Sequence, residues 1–177
     1  MLSFLIRSFM TNCKDFYSYI YKITENVTPL PVDCGGLCNG SCCHGDDQTG
    51  MYLFPGEKIM YENVPDWAKI QKSGLVLAGE KVDFFSCTGR CDRALRPLAC
   101  RIFPIFPYID LNGDLQLIMD PRGKGICPLA KAMDISDLDE NFVRVVGYVS
   151  KLMMKNSLLY SYLFDLSRFT DSCLNIL

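Results

Sequence analysis

Eight of the ten cysteines in this 177-residue chain fall into two groups, and the first group dictates what the chain can fold around. The stretch CGGLCNGSCCHG, from Cys34 to Gly45, sets Cys34, Cys38, Cys42 and Cys43 within ten residues, spaced by glycine, asparagine and serine. Metal loops need thiolates to converge on one centre while backbone N–H groups turn toward the sulfurs. The glycines Gly35, Gly36, Gly40 and Gly45 give this stretch the freedom to do that. The second group is Cys87 and Cys91, spaced like Cys34 and Cys38, then Cys100 inside RPLACRIFPIFP and Cys127 before Pro128. Cys13 and Cys173 lie apart, in stretches that read as helix.

What these thiols do depends on the compartment. Apolar runs near the N-terminus are interrupted by Arg7, Lys14 and Asp15. No run is long enough for a secretory signal or a spanning helix, so the chain reads as cytoplasmic with no membrane span. In a reducing cytosol an even set of cysteines is metal-bound or catalytic rather than a disulfide framework. A net charge of -2 argues against nucleic acid, which demands a basic excess, and leaves a protein or a small molecule as partner. The apolar fraction of 49% suffices to build one core, and no repeat, low-complexity stretch or linker divides residues 1–177.

Around the cysteines the pattern predicts an α+β domain. Leu5, Phe9, Phe16, Ile20 and Ile23 recur at helical spacing, giving an amphipathic helix over about Phe4 to Ile23. Met51 to Phe54 reads as a short strand. Pro55 and Glu57 then open a short helix that Pro65 ends. One or two strands are expected between Leu75 and Phe85. Asn112-Gly113, between two apolar runs, signals a hairpin with a type I′ turn that returns Asp120 toward Cys100. From Ser136 to about residue 170 the pattern is helical, with Ser136 and Asp139 as a capping box. Phe142, Val145, Val146, Val149, Leu152 and Met153 form the apolar stripe, and a break is expected near Asn156 and Ser157.

The cysteine loop, YLFPGE (Tyr52 to Glu57), RPLACRIFP (Arg96 to Pro104) and Cys127-Pro128 together resemble the YkgJ-type cysteine-cluster proteins, which carry a zinc- or iron-chelating domain with a C-x-x-C-x-x-C-C signature. The resemblance covers about residues 33–129, and the first spacings here are three residues rather than two. It implies a ligand set of Cys34, Cys38, Cys42, Cys43, Cys87, Cys91, Cys100 and Cys127, with Arg96 and Arg101 supporting the centre from behind. Related flagellin lysine-N-methylases make an S-adenosylmethionine-dependent methyltransferase an alternative function, although no glycine-rich nucleotide fingerprint is present.

The metal itself stays open between zinc and an iron-sulfur cluster. Cys127-Pro128 matches the Cys-Pro ending of ferredoxin motifs, and two-residue zinc knuckles are missing, which favours the cluster. A structural zinc domain acting as a protein-interaction module is the third reading. Cys42 and Cys43 are adjacent and hard to place on one tetrahedral ion, so one of them is a candidate for a second centre or for a structural or reactive role. His44 is a possible extra ligand that eight thiolates make unnecessary. Arg90 and Arg93 read as solvated surface, and Asp120, Arg122 and Lys124 as a turn with some capacity for an anion.

Overall fold

The computed structural model describes residues 12–43, 49–89 and 91–174. Leu5 and Phe9 of the expected N-terminal stripe therefore lie outside the described residues, as do His44, Gly45 and Arg90. Among the described residues, six helices, several single 3-10 turns and two small antiparallel sheets make an α+β fold.

The first helix, α1 (Cys13–Ile23), starts where the Asn12 side chain accepts from the Lys14 N–H. Tyr17, Ile20 and Tyr21 share its buried face at helical spacing. A four-residue helix, α2 (Gly35–Cys38), opens the cysteine loop.

The first sheet has the order β1-β3-β2, all antiparallel. Strand β1 (Gly50–Tyr52) is shorter than the expected Met51 to Phe54, because the chain turns at Pro55 into a 3-10 turn over Glu57–Tyr61. That turn finishes before Pro65. Strands β2 (Ala68–Leu77) and β3 (Glu80–Cys87) form a hairpin whose two-residue loop, Ala78-Gly79, has φ of +50° and +79°. Two successive positive φ values define the type I′ turn that matches strand twist. Ala78 keeps this unfavoured conformation while its N–H donates to Asp165 at 2.7 Å. Gly50 is constrained differently: a Cβ there would stand 2.2 Å from the Phe85 carbonyl.

After α3 (Leu98–Ile102), strands β4 (Ile105–Ile109) and β5 (Leu115–Met119) pair at the expected place. Their connection is not the two-residue type I′ loop predicted from Asn112-Gly113. The pairing stops at Ile109 and Leu115, and of the two residues only Gly113 has a positive φ, +87°. Asp110 is the reason: its side chain accepts from the N–H groups of Asn112 and Asp114, both at 2.9 Å, and its carbonyl accepts from Gly113. A carboxylate that caps its own turn outweighs the Asn-Gly signal. The hairpin does return Asp120, whose N–H donates to the Pro104 carbonyl at 2.8 Å.

A short α4 (Pro128–Ala132) follows Cys127, then α5 (Glu140–Met153) and α6 (Ser157–Leu174) complete the chain. The break between the last two helices falls where the pattern placed it, with the Asn156 side chain accepting from Leu158 and Leu159. The capping box is displaced from the expected Ser136 and Asp139. It joins Asp134 and Asp137 around a 3-10 turn, while Asp139 alone caps α5 by accepting from the Phe142 N–H at 2.9 Å. Asp139→Ala is expected to cost about 1 kcal/mol in urea unfolding, and Asp139→Asn to recover most of it.

Phe142, Val146, Val149 and Met153 of α5 are fully buried, and pack with Leu159, Tyr162, Leu163 and Leu166 of α6, β4, α3 and α1 in one core. Each such side chain contributes about 1.5–3 kcal/mol by leaving water. Helix α6 also closes the free edge of β4, because Ser167 Oγ accepts from Ile109 N and Arg168 donates to Ile109 O. The core thus sits against β4 and α3, and α3 also carries Cys100. Among the described residues no helix is long and apolar enough to cross a membrane.

Candidate metal centre

Local chemistry shapes the cysteine loop from its first residue. Asp33 accepts from the Gly35 N–H at 3.0 Å and holds the start of α2, so Cys34 and Cys38 stand at its two ends. The helix is reversed by Asn39 (φ +52°) and Gly40 (φ +65°), conformations that favour asparagine and glycine. Gly40 N–H then bonds back to Gly35 O, and Cys43 N–H to Gly40 O. This compact turn sets the Sγ atoms of Cys42 and Cys43 3.9 Å apart.

Three other segments bring the remaining thiols. Cys87 ends β3, and the Gly89 turn (φ +82°) leads to Cys91. Cys100 lies on α3, and buried Cys127 immediately precedes α4, where proline suits the first helical position. The eight predicted cysteines line adjoining cavities. One is walled by Cys34, Cys38, Cys42 and Cys127, a second by Cys42, Cys43, Cys87, Cys91 and Cys100, and a third by Cys34, Cys42 and Cys100 with Arg96 and Arg101. Among the described residues no three His, Cys, Asp or Glu side chains stand in ready ligand geometry around one point. All ten cysteines are free thiols. Cys13 is exposed on α1, and Cys173 lies on α6.

The electrostatics favour one thiolate in particular. The hydrogen bond from Cys42 lowers the pKa of Cys43 to about 6, and nearby Arg96 adds to the effect. Its partner Cys42 is pushed up by the same bond and by burial. Burial also raises Cys34, Cys87 and, most strongly, Cys100, each close to further thiols. At Cys87 the Gly89 backbone N–H works in the opposite direction, toward the thiolate.

The two arginines expected behind the centre sit differently. Arg96 Nε donates to Cys91 Sγ at 3.3 Å. Burial pulls its pKa down, but the Cys91 bond and the thiols of Cys91, Cys43 and Cys100 hold it above the ordinary value. Arg101 donates to backbone carbonyls of Tyr21, Arg93, Ala94 and Arg96, with its guanidinium 4.1 Å above the Tyr21 ring. Arg93, expected on solvated surface, reaches the carbonyls of Glu25 and Val27. In the DPRGKG turn, Arg122 pairs with Asp120 through two contacts at 2.9 and 2.7 Å, so its charge is already matched.

Glu57 matters more than a helix-opening acid. It is fully buried and accepts from Phe54 N at 2.9 Å and Leu98 N at 2.6 Å, with Tyr21 Oη at 2.8 Å. Phe54 O also accepts the Glu57 N–H at 3.0 Å, closing a backbone turn, so Glu57 supplies only the glutamate half of a capping box. The three-residue spacing from Phe54 was the signal available for this role. Through Leu98, Glu57 fixes the start of the helix that carries Cys100.

No family model, curated protein or solved structure matches this chain.

Proposed function

We propose that this chain binds metal through cysteine thiolates, as zinc or an iron-sulfur cluster. The observation that carries the reading is selective convergence: separated segments deliver eight thiols to adjoining cavities, while Cys13 and Cys173 line none of them. An all-sulfur donor set suits zinc and iron-sulfur centres and is poor for magnesium or calcium. At Cys87 the Gly89 N–H works against burial and toward the thiolate, the binding form, and Arg96 Nε donates to Cys91 Sγ. Binding draws these side chains together by rotation about short flexible turns. A cluster would supply one-electron chemistry, and zinc a structural cross-link.

The cluster is the preferred occupant, because of Cys127-Pro128 and the three-residue rather than two-residue cysteine spacings. Its process and location within the cell do not enter the proposal beyond a cytosolic, reducing setting, in which thiols stay free for metal. Elemental analysis of anaerobically purified protein tests the reading. Iron with matching acid-labile sulfide and a brown visible spectrum is expected; zinc without sulfide would replace the cluster by a structural site. Protein free of both metals would sink the proposal.

A further inference from the structure

We infer that the eight cysteines form two separate four-thiolate centres, Cys34, Cys38, Cys42 and Cys127 in one and Cys43, Cys87, Cys91 and Cys100 in the other. This rests on the metal-binding reading and divides its ligands. The chain crosses from one centre to the next between two consecutive residues.

The cavities carry the division. The first, of about 30 Å³, has Cys34, Cys38, Cys42 and Cys127 in its wall. The second, of about 50 Å³, has Cys43, Cys87, Cys91 and Cys100, together with Arg96. Their linings share Cys42 and Phe103. A third cavity reaches across the two but has only Cys34, Cys42 and Cys100 in its wall, one thiol short of a closed site.

Cys42 is the thiol that both cavities touch, and ligand number assigns it. A closed thiolate site takes four sulfurs. The second cavity has four without Cys42, and the first has three. Cys42 therefore completes the first, and Cys43, beside Arg96, belongs to the second. This also resolves the difficulty of placing adjacent cysteines on one tetrahedral ion.

The test compares metal and sulfide per full-length chain in the unsubstituted protein, Cys42→Ser, Cys43→Ser and the double variant, all prepared anaerobically. Each single variant is expected to keep about half the content, and the double variant almost none. Cys42→Ser combined with Cys127→Ser is expected to keep about half, because both belong to one centre. Complete loss in either single variant, or a double variant no worse than Cys42→Ser alone, would overturn the division while leaving metal binding intact. An unsubstituted protein without metal would remove the metal-binding reading and the division with it. Native mass spectrometry of the unsubstituted protein during chelation guards against variants that do not fold. A half-loaded species is expected, and passage from full to empty in one step counts against two centres.

Discussion

Arg101→Ala is expected to destabilise the fold by about 3–4 kcal/mol, read as a lower urea midpoint with an unchanged slope. The side chain is 6% exposed and bonds four carbonyls. One comes from the end of α1 and three from the Arg93–Arg96 turn leading into α3. Alanine takes the side-chain donor from the Ala94 and Arg96 carbonyls, leaves Thr24 on Tyr21 O and Arg96 N–H on Arg93 O, and removes the cation from the Tyr21 ring. A typical orphaned buried group costs about 1–3 kcal/mol, so two of them account for the loss. Burial pulls the arginine pKa down, yet a guanidinium stays charged at any working pH. Arg101→Lys should recover only part of the loss, since an ammonium lacks the planar fork that serves several carbonyls at once. A loss below about 1 kcal/mol in the alanine variant would show that water replaces the guanidinium.

This arginine also shows why sequence reading reached some features and missed others. The eight clustered cysteines could be singled out because closely spaced thiols have few uses, and α5 because Phe142, Val146, Val149 and Met153 repeat at one helical period. Both signals are local. Arg101 and Glu57 act across long separations, on Tyr21 and Leu98, and no local pattern reveals which carbonyl or N–H a long side chain will meet. Turn chemistry failed for a related reason. Ala78-Gly79 takes the type I′ conformation, helped by Asp165 from α6, whereas Asn112-Gly113 loses it to the side chain of Asp110. The adjacency of Cys42 and Cys43 pointed to a second centre for one of them, but which cysteines from distant segments line each cavity is visible only in the fold.

Glu57 is expected to make the fold lose stability as pH rises above the ordinary carboxylate range. Burial raises its pKa above 4.5, against the lowering effects of Leu98 N–H, Phe54 N–H, the Tyr21 hydroxyl and Arg101. Tyr17 and Tyr162 also face it, and are themselves raised by burial and by Glu57. Tyr21 Oη donates to Glu57 at 2.8 Å and lies 2.9 Å from Tyr61 Oη, and Tyr61 donates to Leu95 O at 2.9 Å, so the carboxyl sits at the end of a buried hydroxyl chain. With the folded pKa raised, the contribution is complete below 4.5 and is lost as pH climbs toward the folded value. Its slope reaches at most about 1.4 kcal/mol per pH unit. Glu57→Gln should abolish this component and cost about 1–3 kcal/mol, because an amide nitrogen must face either Leu98 N–H or Phe54 N–H. Glu57→Ala, which orphans both, should cost about 3–5 kcal/mol. Urea unfolding of the unsubstituted protein and the glutamine variant, compared from acid to neutral pH, isolates the term. If the difference between them grows in favour of the unsubstituted protein as pH rises, the folded carboxyl is held below its ordinary range and the expected direction is wrong.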